Sequence, residues 1–109
     1  MKINIKITNF DLTPAIKQYI EKKLNYLDKF LSRYTTKGEA EVDFEVGRTT
    51  RHHKKGEVFY AKANLKTPDG FFRANKTNDD LFTAIDEVKS CLLELIKKHK
   101  TKKDLNKRK

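Results

Sequence analysis

Ammonium groups at Lys97, Lys98, Lys100, Lys102 and Lys103, with His99 and Thr101 among them, are the densest reactive chemistry in a chain of 109 residues. No packed core accepts unpaired charge at that density, so water or an anionic surface must take it up. Residues 97–109 hold eight basic residues and one acidic residue, a net +7 out of the chain's +10. Such a local excess favours a nucleic acid or an anionic membrane surface. The competing reading is a solvated run that only aids solubility.

Three further groupings invite a chemical reading. Glu39, Glu41, Asp43 and Glu45 alternate along one predicted strand, which puts them on one face about 6.5–7 Å apart, so that neighbours could share a cation. The same outer face carries Lys2, Lys6, Lys62 and Lys66, and cross-strand pairing with these explains the acidic residues as a solvated face. His52-His53 could ligate a metal, but zinc usually takes three or four protein ligands and the one cysteine, Cys91, lies in another element. Cys91 cannot form an internal disulfide, which fits a reducing cytosol, and it reads as a half-buried thiol on the flank of an apolar stripe. There is no glycine-rich phosphate cradle and no serine nucleophile motif. The expectation is a protein that is not an enzyme and has no metal, no cofactor and no small-molecule substrate.

The elements that must position these groups follow from periodicity. Residues 2–8 alternate, with Ile3, Ile5 and Ile7 against Lys2, Asn4, Lys6 and Thr8, a half-buried strand. Thr13-Pro14 supplies a cap and a first-turn proline, and Ile16, Ile20, Leu24, Leu27 and Leu31 recur at helical spacing, predicting helix one over 14–32. A second strand alternates through Ala40, Val42, Phe44 and Val46; a third begins near Val58 with Phe59, Ala61, Ala63 and Leu65 inward. Thr67-Pro68-Asp69-Gly70 predicts a tight turn into an antiparallel fourth strand, Phe71 to Asn75. Thr77-Asn78-Asp79-Asp80 reads as a capping box opening helix two, with a stripe at Leu81, Ile85, Val88, Leu92 and Leu95/Ile96. The basic stretch Arg48 to Gly56 is read as a mobile loop between strands two and three.

The order is β-α-β-β-β-α, an α+β fold with a four-stranded sheet. The right-handed crossover puts helix one on one face of the sheet and the stripe of helix two must bury on the same face. The domain is expected over residues 1–100, with a basic tail at 101–109. The N-terminus does not read as a signal peptide and no window approaches the about 20 apolar residues that span a bilayer, so a soluble cytoplasmic protein without a membrane partner is expected.

The cations then fall on two helices: Lys17, Lys22, Lys23, Lys29 and Arg33 on the first, Lys89, Lys97, Lys98, Lys100 and Lys102 on the second. A broad positive face of this kind suits A-form RNA, read through its backbone and 2′-hydroxyls. About six phosphate contacts would make binding fall on the order of a thousandfold between low and moderate salt.

Three stretches carry a resemblance that spans about residues 2–102. They are Leu12-Thr13-Pro14-Ala15-Ile16 with Leu24 and Leu27; Ala61-Lys62-Ala63-Asn64-Leu65 leading into Thr67-Pro68-Asp69-Gly70; and Asp80-Leu81-Phe82-Thr83-Ala84-Ile85-Asp86. In these the chain resembles the ribosome hibernation-promoting factors, also called ribosome-associated inhibitors or sigma-54 modulation proteins. The resemblance implies a fold akin to double-stranded-RNA-binding domains. It also implies a stationary-phase or stress factor that binds the small ribosomal subunit and its ribosomal RNA. Such a factor occupies the channel of messenger and transfer RNA, inhibits translation, and is a monomer away from the ribosome.

By position, Lys17 and Lys23 match basic residues of the family's first helix, and Lys98, Lys100 and Lys102 match the end of its second. The resemblance is to the short type of the family, without the appended domain that pairs ribosomes in longer members; short members that block pairing tend to have an acidic extension, so for this basic tail the resemblance implies a hibernation-promoting role. Tyr26, Cys91 and Glu94 stand where relatives often carry Lys or Arg, which shifts the expected contacts outward, toward Lys97 to Lys102. The alternative reading is a transcription-modulating or generic RNA-binding protein that uses the same basic helical face.

Overall fold

Alternation builds the sheet. In β1 (Lys2–Thr8) Ile3, Ile5 and Ile7 turn toward the core while Lys2, Asn4 and Lys6 stay exposed, the period-two pattern of a strand with one wet face. The computed structural model describes residues 1–31, 40–49, 58–67 and 70–107, the last eight by backbone alone. Asn9 ends the strand with φ at 66°, a left-handed conformation that asparagine tolerates, and its Nδ2 donates to the Arg48 carbonyl at 3.1 Å.

Thr13 caps α1 (Pro14–Leu31) as expected. Its Oγ1 accepts from the Ile16 amide at 3.2 Å and its carbonyl from the Lys17 amide at 3.0 Å. Pro14 takes the first helical position, where a missing N–H costs nothing.

Three more strands complete a single sheet in the order β1-β2-β3-β4: β2 (Glu41–Thr49), β3 (Val58–Thr67) and β4 (Gly70–Asn78). β1 and β2 are parallel and joined across α1; the other neighbours are antiparallel. Around the β3–β4 turn, whose central pair 68–69 lies outside the described residues, Thr67 Oγ1 accepts from the Gly70 amide at 3.0 Å and donates to its carbonyl at 2.9 Å.

The strands reach further than alternation of apolar residues predicts, because backbone pairing continues after the hydrophobic pattern stops. Arg48 and Thr49, read as the start of a loop, pair with Phe59 and Val58. The rest of that basic connection, His52-His53 included, lies outside the described residues. β4 passes Asn75 because Lys76, Thr77 and Asn78 pair with Ala61, Tyr60 and Phe59. Thr77 is thus a strand residue, and the expected Thr77-to-Asp80 box does not form.

The cap of α2 (Leu81–Lys107) is Asp80. Its Oδ2 accepts from the Thr83 amide at 3.0 Å and from the Thr83 hydroxyl, and Asn78 Oδ1 accepts from the Asp80 amide at 2.9 Å. A carboxylate there also meets the positive end of the helix dipole. The helix carries on through Lys107, so residues 101–107 share its backbone.

Both helices bury their stripes against the same face of the sheet. Ile20, Leu24, Leu27 and Leu31 of α1 and Leu81, Ile85, Val88, Leu92 and Ile96 of α2 form one core with Val42, Phe44, Val46 and Leu65. α2 lies over β3 and β4, where Ala61, Ala63 and Ala74 face it and Ala84 answers from the helix. Small side chains on both surfaces let that helix approach closely. The larger isoleucines and valines of β1 and β2 fill the rest, and the Met1 amine stands 3.7 Å from the Asp28 carboxylate of α1. Cys91 is half-buried on the flank of the α2 stripe, as its spacing predicts. The fold is α+β, a mixed four-stranded sheet with two helices. No helix among the described residues is long and apolar enough to cross a membrane.

The opposite face of the sheet bears the carboxylates. Register sets Glu41 between Lys2 and Lys66, Asp43 between Asn4 and Asn64, and Glu45 between Lys6 and Lys62. Lys2 Nζ lies 3.8 Å from Glu41, Asn4 Nδ2 donates to Asp43 at 2.9 Å, and the Tyr60 hydroxyl donates to Glu45. The Tyr60 ring lies flat across Gly47, where a Cβ would collide with it. Cross-strand pairing therefore accounts for these acidic residues; Glu39 is outside the described residues.

Candidate nucleic-acid interface

The seam between the two helices is set by a shoulder of residues, each one position ahead of a buried one. Tyr19, Lys23, Tyr26 and Phe30 precede Ile20, Leu24, Leu27 and Leu31, so helical periodicity turns all four toward α2. α2 answers in order. Phe82 packs edge to face on Tyr19 with centroids 4.8 Å apart; Asp86 accepts the Tyr19 hydroxyl at 2.7 Å and pairs with Lys23 at 3.2 Å. Lys89 Nζ stands 4.3 Å from the centroid of Tyr26, and Lys97 Nζ 5.9 Å from that of Phe30. The hydrogen bond to Asp86, with burial second, raises the Tyr19 pKa above the ordinary tyrosine value. The same carboxylate, through its hydrogen bond, raises that of Lys23.

Beside this seam is an open depression of about 510 Å³ whose lining includes Lys22, Lys23, Tyr26 and Lys29 of α1, Lys89 of α2 and one carboxylate, Glu21. Four of the expected binding lysines thus meet at one place, and Lys97 continues the seam beyond them. The others disperse. Lys17 lies about 140° round α1 from Lys22 and pairs with Glu21 at 4.0 Å. Lys98 is exposed but about two and a half turns beyond Lys89, hence on the opposite side of α2. Lys100 and Lys102 sit on the α2 backbone with undescribed side chains, and Arg33 lies outside the described residues.

The three positions that break the basic pattern also separate. Tyr26 lies inside the lysine depression, whereas Cys91 and Glu94 line a second one, about 330 Å³, with Lys76 and Glu87. Charge patterning alone misses the aromatic supports; their signal is the shoulder spacing. Among the described residues no group of three or more His, Cys, Asp or Glu is placed to share a metal ion.

A family model described as sigma 54 modulation protein / S30EA ribosomal protein matches residues 3–104. The chain is similar to the ribosome hibernation promotion factor of Bacillus subtilis, 28% identical over 102 residues, which cover 94% of this chain and 50% of that protein. It is also similar to the ribosome-associated factor Y of Haemophilus influenzae, 30% identical over 92 residues, 84% of this chain and 76% of that one. The chain spans about half the length of several curated relatives it matches. Its fold is similar to the Thermus thermophilus Protein Y N-terminal domain, with a TM-score of 0.71 and 28% identity over 90% of this chain and 98% of that one. The matched span takes in the sheet from Ile3 onward, α1, and α2 as far as residue 104, and the chain therefore belongs to the sigma 54 modulation protein / S30EA ribosomal protein family.

Proposed function

We propose that this protein is a non-enzymatic ribosome-binding factor that acts in the cytoplasm and promotes hibernation. In this reading it occupies the channel of messenger and transfer RNA on the small subunit and inhibits translation in stationary phase or stress. Relatives that carry hibernation and ribosome-association names support the partner. The observation that carries the reading is the gathering of Lys22, Lys23, Lys29 and Lys89 from two helices into one depression, with Lys97 next along the seam. Several ammonium groups at fixed spacing bind a phosphate backbone by releasing its counterions. The exposed Lys98, on the opposite side of α2, and the lysines at 100 and 102 add positive charge toward the far end of that helix.

Sedimentation of a stationary-phase lysate through a sucrose gradient tests this. The protein is expected with small subunits and whole ribosomes. Recovery only at the top of the gradient sinks the proposal and turns attention to transcription. Lys22→Glu with Lys29→Glu should release it from ribosomes at moderate salt with the fold intact, and Lys98→Glu with Lys100→Glu examines the far end of α2 in the same assay.

A further inference from the structure

Tyr26 does too little for the fold to explain where it stands. It is 52% exposed, more than any other large hydrophobic side chain among the described residues. Its hydroxyl has no hydrogen-bond partner among those residues, whereas Tyr19 donates to Asp86 and Tyr60 donates to Glu45. Half of the residue is left in water, which forfeits much of the gain an aromatic ring brings by burial. What it has instead is cations. Lys89 stands over the ring at 4.3 Å, and Lys22 and Lys29, four residues before and three after, are its neighbours on the same side of α1.

An exposed ring set among ammonium groups is the combination by which proteins hold unpaired nucleic acid: the cations follow the backbone while a base stacks on the ring, whatever its sequence. A perfect A-form duplex offers no such contact, because its bases are already stacked on one another. The depression around Tyr26, about 510 Å³, falls within the about 300–1,000 Å³ of small-ligand sites and has room for a nucleotide. Of the lysines that line the depression, Lys23 is engaged by Asp86 and Lys89 stands over the ring, so Lys22 and Lys29, which flank Tyr26 along α1, are placed to meet the backbone on either side of it. We propose that Tyr26 is a stacking platform for one unpaired nucleobase of the bound RNA, with Lys22 and Lys29 taking the flanking phosphates. The proposal rests on reading this face as an RNA interface and adds what part of the RNA it holds.

The test uses the full chain with three probes at one salt concentration: a single-stranded RNA of about 12 nucleotides, a perfect duplex of the same sequence, and inorganic polyphosphate. Tyr26→Leu should weaken single-strand binding by about five- to a hundredfold, and leave polyphosphate binding within about twofold. Tyr26→Phe keeps the ring and should bind as the wild type does. The chain contains no tryptophan, so a Tyr26→Trp variant carries a single reporter, expected to be quenched by the single strand and not by polyphosphate. Circular dichroism confirms that each variant folds.

The platform is overturned if Tyr26→Leu loses nothing, or if it loses equally on polyphosphate. Equal quenching by duplex and single strand overturns it too. Ribosome binding separates this from the broader reading. If Tyr26→Leu binds ribosomes normally while Lys22→Glu with Lys29→Glu does not, the platform falls and the ribosome reading stands. If the wild type stacks single strands but ignores ribosomes, the reverse holds.

Discussion

Both broad faces of this molecule are rich in lysine, and they treat it differently. On the outer face of the sheet, Lys2, Lys6, Lys62 and Lys66 are in register with Glu41 and Glu45, and Lys2 lies 3.8 Å from Glu41, so carboxylates offset part of the positive charge there, although Lys62 also stands over the Tyr60 ring at 5.2 Å. On the helical face, Lys89 and Lys97 stand over the rings of Tyr26 and Phe30. A ring holds an ammonium through its quadrupole without neutralising it. A carboxylate partner consumes positive field and an aromatic partner preserves it, so equal lysine content does not make equal polyanion surfaces. Carboxylates act on this side too: Asp86 ties down Lys23, which acts as a pin between the helices, and Glu21 pairs with Lys17 at 4.0 Å.

The largest effect should come from the core beneath both faces. Phe44 is 2% exposed, and Phe44→Ala should cost about 3–5 kcal/mol in urea unfolding, removing both surfaces together. The comparison itself is tested by salt dependence. Lys22→Gln, Lys29→Gln and Lys89→Gln combined should flatten the slope of log affinity for RNA against log salt by about three. Lys2→Gln, Lys6→Gln and Lys66→Gln combined should leave that slope unchanged; equal flattening would erase the distinction between the faces.

The seam is next in size. Tyr19→Phe removes the hydroxyl that donates to Asp86 and should cost about 1 kcal/mol at neutral pH. Because the folded-state pKa of Tyr19 is raised by that bond, its contribution is complete below the unfolded tyrosine value of about 10 and is lost as pH rises through the higher folded value. The gap between wild type and Tyr19→Phe in chemical denaturation should therefore close above about pH 10; a gap constant to higher pH would show that the bond is not what stabilises the seam. The smallest effect belongs to the outer ladder. Lys2→Ala breaks a pair whose lysine side chain is 71% exposed, and a double-mutant cycle with Glu41→Ala should read less than about 0.5 kcal/mol.

Much of this was legible in the chain. The Thr13-Pro14 cap, the stripe from Ile20 to Leu31 and the alternation of β1 required only neighbouring residues, because a cap or a period is a local property. The ends of β2 and β4 were not legible. Arg48, Thr49, Lys76, Thr77 and Asn78 join the sheet through backbone hydrogen bonding to β3, which leaves no mark on side-chain pattern. The same extension displaced the helix cap from Thr77 to Asp80, since a residue committed to a strand cannot also open a helix. At the site, the lysines were visible as charge but their grouping was not. Lys17 and Lys98 look equivalent to Lys22 and Lys89 in the sequence and stand on other flanks of the same helices.

The amino-acid order by itself determined the succession β-α-β-β-β-α, the buried stripe of each helix, and a basic surplus concentrated after Ile96. All of these follow from spacing within one element or from counting charge. Only the tertiary structure decided that Asp86 would meet Tyr19 across 67 residues, that Lys89 would come to rest over Tyr26, and that Tyr26 would lie among lysines rather than interrupt them. Those pairings depend on the crossover that lays α1 beside α2 and on the alanines that let α2 approach the sheet, so they follow from packing distances that no local period encodes.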